Sequence, residues 1–81
     1  MTIESLKEYV DCGREIEYLF HKKRYSITYG TIDGKEIISF CEYYKYTSEV
    51  ETVDELLLLS RDGYSVKEMW CSIDEESVWI S

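Results

Sequence analysis

The chain has no proline and a single histidine among its 81 residues. Without proline there is no polyproline recognition segment and no stiff linker. Its four glycines are scattered, so there is no cluster ahead of a helix to cradle a phosphate. The three cysteines, Cys12, Cys41 and Cys71, are odd in number and far apart, whereas a small secreted scaffold carries an even, dense set. The longest apolar run, Leu56-Leu57-Leu58-Leu59, is much too short to span a bilayer. The N-terminal Met1-Thr2-Ile3-Glu4-Ser5-Leu6-Lys7-Glu8 lacks the basic and then apolar order of a signal peptide. These absences lead to the expectation of a soluble cytoplasmic protein with reduced thiols and no membrane partner.

Cations are scarce as well. Nine Lys and Arg face 17 Asp and Glu, for a net charge of −8. The imbalance is uneven along the chain. Residues 49–81 hold nine of the 17 acidic groups against only Arg61 and Lys67, while residues 21–48 carry a slight positive excess. Asymmetry of this kind bears on partners and solubility rather than on fold.

What is present fits a packed globule. Apolar residues make up 44% and aromatic residues 15%, including eight tyrosines, unlike disordered acidic chains. The length suits one domain, residues 1–81, near the lower end of sizes that fold alone. A core of this size supplies on the order of 3–5 kcal/mol of net stability.

Ile3, Leu6 and Val10 fall at helical spacing and Gly13 offers a stop, which predicts a helix over 3–12. Ser5 with Glu8 has capping-box spacing, and Thr2 is an alternative cap. Ile16, Tyr18 and Phe20, then Tyr25, Ile27 and Tyr29, alternate as half-buried antiparallel strands do. The polar turn His21-Lys22-Lys23 separates them. Gly30 to Gly34 is predicted as the next turn, ending in an Asp-Gly signal. A third strand runs from Lys35 to about Tyr44. Apolar groups on both of its faces place it inside the sheet. Tyr46 to Glu51 is predicted as a loop. Thr52 with Glu55, and Ser65 with Glu68, open two short helices, the first ended by Asp62-Gly63. Val78-Trp79-Ile80 is a candidate fourth strand. The fold class is α+β: a three- or four-stranded antiparallel sheet with an N-terminal helix and two short C-terminal helices.

Chemistry-bearing residues assemble no catalytic or metal site from spacing. His21 is expected to be a solvated turn residue. The cysteines form no close pair of zinc ligands. Cys41 and Cys71 are expected to act as small buried apolar groups, and Cys12 to be partly exposed. Glu15 and Glu17 share a strand face that is expected to be solvated. Lys22-Lys23-Arg24 beside Tyr18, Tyr25 and Tyr29 has the footprint of a single-strand nucleic-acid binder, but three cations at one tip on an acidic protein give weak counterion release. No cofactor, no enzyme activity and no direct nucleic-acid binding are expected. Tyr43, Tyr44 and Tyr46 cluster ahead of the acidic stretch, and tyrosine is enriched where proteins meet.

The stretch Gly13-Arg14-Glu15-Ile16-Glu17-Tyr18, with Arg24-Tyr25-Ser26-Ile27-Thr28-Tyr29-Gly30, Phe40-Cys41-Glu42-Tyr43 and Val53-Asp54-Glu55-Leu56-Leu57, resembles small uncharacterised proteins of low-GC Gram-positive bacteria and their phages. The resemblance implies a mobile-element origin. Small acidic proteins of that origin include inhibitors of host machinery, anti-CRISPR proteins and DNA mimics among them. The expectation is therefore a non-enzymatic protein that binds a basic, nucleic-acid-binding surface of a host protein. Glu49, Glu51, Asp54, Glu55, Asp74, Glu75 and Glu76 would supply charge, and Tyr43, Tyr44 and Tyr46 contact area. The alternative is a homodimeric accessory or regulatory domain whose acidity serves solubility.

Overall fold

The computed structural model describes residues 1–42 and 47–81. Helix α1 (Ile3–Asp11) is capped by Thr2, whose side chain accepts the amide of Ser5 at 3.2 Å. Ser5 lies inside the first turn, and its hydroxyl donates back to the Thr2 carbonyl at 2.7 Å. The apolar stripe buries Leu6 completely, with Ile3, Tyr9 and Val10 packed beside it.

Strands β1 (Ile16–Phe20), β2 (Lys23–Ile32), β3 (Lys35–Glu42) and β4 (Thr47–Val50) form an antiparallel meander. Two features depart from expectation. Gly30, Thr31 and Ile32 continue β2, pairing with Ile37, Glu36 and Lys35, so the turn contracts to Asp33-Gly34. Both turn residues have positive φ, the two-residue geometry Asp-Gly favours. The segment expected as a loop supplies β4, an edge strand paired with β3 from Ile38 to Cys41. The sheet thereby gains a strand beyond the expected number.

Helix α2 (Val53–Leu58) opens with the Thr52–Glu55 capping box. The helix stops at Leu58 with Leu59 as its C-cap, ahead of Asp62-Gly63, which was expected to end it. Asp62-Gly63 instead turns a miniature hairpin of β5 (Ser60–Arg61) and β6 (Tyr64–Ser65). Helix α3 (Val66–Ser72) opens with the Ser65–Glu68 capping box, whose backbone contacts hold the Glu68 carboxyl below its usual range. A short 3-10 turn (Glu75–Ser77) leads into β7 (Val78–Ile80), which pairs antiparallel with β1. The main sheet has the order β4-β3-β2-β1-β7, and the fold is α+β.

The helices cover one face of that sheet. Ile16, Tyr18, Phe20, Tyr25, Ile27, Ile38 and Phe40 meet Leu6, Leu56, Val66, Met69 and Trp70 in a single core. Tyr18, Tyr25 and Phe40 stack across three neighbouring strands. Trp70 closes the layer, with its Nε1 donating to the Thr2 carbonyl at 2.7 Å. Each fully buried large side chain contributes about 1.5–3 kcal/mol. Alternation sends the intervening residues of β1–β4 to the other face, which no described helix covers. Cys71 corrects an expectation: it is exposed, because Val66, Met69 and Trp70 take the inward stripe of α3. Cys41 is half-buried on the open face and Cys12 is exposed.

Candidate interaction surfaces

The acidic residues singled out in the sequence fall into two groups at opposite edges of the sheet. Glu49 and Glu51 belong to β4 and the bend after it, and Asp54 and Glu55 to α2. Asp74, Glu75 and Glu76 belong to the turn before β7. Four strand spacings separate β4 from β7, about 19 Å. The first group is itself divided. Glu49 pairs with Ser39 opposite the buried Phe40, so it faces the open side of the sheet. Asp54 and Glu55 lie on the helical side. Tyr43, Tyr44 and Tyr46, the proposed contact aromatics, lie outside the described residues.

Two of these carboxylates have local structural work. Glu55 Oε1 accepts the Thr52 amide at 3.2 Å and the Glu51 amide at 3.3 Å, satisfying donors that the start of α2 leaves open. Asp74 Oδ1 accepts the Glu76 amide at 3.1 Å.

Carboxylates of α1, given no role in the sequence reading, join the helical group. Lys7 Nζ lies 3.6 Å from Asp54 Oδ1 and places α1 beside α2. Glu4, Glu8 and Asp11 on α1 are exposed, and among the described residues no ion pair reaches them. The two helices present five carboxylates and one lysine outward. Leu58 stands among them, 80% exposed, one turn beyond Asp54 and Glu55. The helical spacing of Glu4, Glu8 and Asp11 was the available signal.

The basic tip between β1 and β2 is largely neutralised. Lys23 Nζ is 2.9 Å from Asp62 Oδ2 and 3.9 Å from Glu42, and Arg24 is 3.5 Å from Glu17. The hydrogen bond to Asp62 raises the Lys23 ammonium above its usual range, and the same contact lowers the Asp62 carboxyl. His21 is exposed and stacks on Phe20 with ring centres 3.9 Å apart. Arg61 is held over the Phe40 ring and donates to the Ser48 hydroxyl, tying the small hairpin to β4.

The uncovered sheet face carries one row that crosses all five strands: Trp79, Glu17, Ser26, Cys41 and Thr47 stand in register. Arg24 lies 5.3 Å from the Trp79 ring centre. Glu15 and Glu17 border a shallow depression of about 340 Å³ there, with Arg24 and Trp79. A larger groove of about 760 Å³ lies on the helical side, between the C-terminal end of α1, the start of α2 and the outer part of the β2–β3 hairpin. Among the described residues, no group of three or more His, Cys, Asp or Glu side chains is placed to hold a metal ion. Among the described residues, no helix is long and apolar enough to cross a membrane.

Compared with protein-family models, with curated proteins and with solved structures, the chain matches none.

Proposed function

We propose that this chain is a non-enzymatic binding protein whose acidic helical side docks on a basic surface of another protein. The observation that carries the reading is the outward face of α1 and α2, where five carboxylates and the exposed Leu58 are accompanied by Lys7 alone. Unpaired surface charge of one sign steers association and selects a partner of opposite sign. An exposed leucine inside such a field adds apolar contact area. The resemblance to mobile-element proteins extends the reading to an inhibitor that covers a nucleic-acid-binding surface of a host protein, in the manner of a DNA mimic.

The test is affinity capture from host lysate at low salt, comparing the natural chain with the triple reversal Glu4→Lys, Glu8→Lys, Asp54→Lys. Glu55 is left in place because it caps α2. The natural chain captures a nucleic-acid-binding protein, duplex DNA competes it off, and the reversal captures none. Capture that survives the reversal and is indifferent to DNA overturns the proposal. A concentration-dependent dimer with no captured protein would instead favour the homodimeric accessory domain.

A further inference from the structure

The β2–β3 hairpin runs past the helical layer. Its core-side face continues through Tyr29, Thr31, Glu36 and Ile38, but beyond Ile38 no described helix lies on it. The result is the groove of about 760 Å³, a size that accepts several side chains. Its apolar surface comes from Val10, Tyr29, Ile37, Ile38 and Val53. Its charged lining is all of one sign: Asp11, Glu36 and Glu51 are acidic, and no described lysine or arginine lines it. The carbonyl end of α1, which carries partial negative charge, opens on the same space. Tyr29 is fixed there by its hydroxyl, which donates to the Arg14 carbonyl at 2.7 Å.

We infer that this groove is the seat of an extended partner segment carrying lysine or arginine between apolar residues. The inference rests on the reading of a basic partner and gives that partner a point of entry. Alternation explains the fit. An extended chain places successive side chains on opposite sides, so apolar groups meet Ile38 and Val53 while cations reach the carboxylates on the rim. Lys35 already pairs with Glu51 at 3.8 Å from outside the groove, which leaves Asp11 and Glu36 as the principal anchors.

The probe is the peptide acetyl-Leu-Arg-Leu-Lys-Leu-amide, titrated at low salt into the ¹⁵N-labelled chain, with acetyl-Leu-Glu-Leu-Glu-Leu-amide as control. The basic peptide shifts the amides of Cys12, Tyr29, Thr31, Glu36 and Val53, and the acidic one does not. Glu36→Lys weakens the binding about tenfold, as loss of a partly shielded charge pair does. Thr31→Phe, which keeps the charge and suits a strand, blocks the groove and has a similar effect. Glu4→Lys with Glu8→Lys leaves it within about twofold, because those charges lie outside the groove and are screened. Shifts spread over Glu4, Glu8 and Glu75 but absent from the groove would overturn this inference and leave acidic docking standing. Shifts in the groove that appear with rising protein concentration and no peptide would also overturn it, assigning the groove to a second copy. Groove binding together with failed capture from lysate would retain the inference and remove the host-surface reading.

Discussion

The hydroxyl of Tyr25 donates to Oδ2 of Asp62 at 3.2 Å, joining the second strand of the sheet to the turn of the small hairpin. Lys23 reaches the same carboxylate oxygen at 2.9 Å. The three residues hold the β5–β6 hairpin against the sheet, and all three titrate away from their usual ranges. Lys23 hydrogen bonding lowers the Asp62 carboxyl, and partial burial with the Asp62 contact pushes the Tyr25 phenol up to about 12.

The sign of the pH effect follows. A carboxyl depressed in the folded state contributes stability above its unfolded value and loses it as pH falls through the folded value. The Asp62 contribution is therefore complete at neutral pH and disappears below the usual aspartate value of 3.8. Asp62→Asn, which tolerates the left-handed turn, flattens this acid limb of a urea-midpoint profile. It also brings the Tyr25 titration, followed by ultraviolet absorbance, back toward 10. An unchanged Tyr25 titration would show that the hydrogen bond does not persist in solution.

His21 and Lys22 both occupy the left-handed region, with φ of 48° and 66°. Side chains with a Cβ are strained there, by roughly 1–2 kcal/mol per residue. Lys22→Gly keeps the His21 ring on Phe20 and relieves half of the turn. The net gain is about 1 kcal/mol after the added freedom of the unfolded chain, or roughly 4–8 °C in Tm. A lowered Tm would show that Lys22 makes a contact worth more than the strain.

Charge reversals on β4 and α2 separate into two kinds. Glu55→Lys removes half of the capping box and costs about 1 kcal/mol of stability in urea, as Thr52→Ala does from the other side. Glu49→Lys, on the open face of an edge strand, stays within about 0.5 kcal/mol. Equal losses at Glu49 and Glu55 would contradict the cap. A binding experiment that reverses Glu55 along with its neighbours mixes lost stability with lost charge.

The two tryptophans report on opposite environments, since Trp70 is fully buried and Trp79 is 47% exposed. Trp79→Phe leaves a blue-shifted emission protected from acrylamide. Trp70→Phe leaves a red-shifted, quenchable one and lowers stability by loss of the Thr2 hydrogen bond, about 1 kcal/mol. Arg24→Ala alters only the Trp79 component. Quenching of both components alike would mean that α3 does not seal the core.

The elements with strong alternation or a capping signature were legible in the sequence: α1, β1, most of β2, β3, and the starts of α2 and α3. β4 was not, because Thr47-Ser48-Glu49-Val50 carries one large apolar residue. It forms by pairing its backbone with β3, and of its side chains only Val50 packs against the core. Gly30 read as a turn because glycine weakens a strand, and here the cross-strand partner Ile37 decides otherwise. The acidic C-terminal half was visible as composition, but its division between two sheet edges depends on the return of β7 to β1. The groove could not be read from the sequence at all, since its walls come from residues about 20 apart along the chain.

That return has a consequence for the assembly of the molecule. β1 finds β2 across a two-residue turn, but its other partner, Val78–Ile80, arrives from some sixty residues away. Nearby pairings form first and distant ones last. Until β7 docks, the outer side of Ile16–Tyr18 is an unclaimed row of amides and carbonyls, open to any other strand. Chains refolding together compete for it, so the yield of correctly folded chain falls as refolding is made more concentrated.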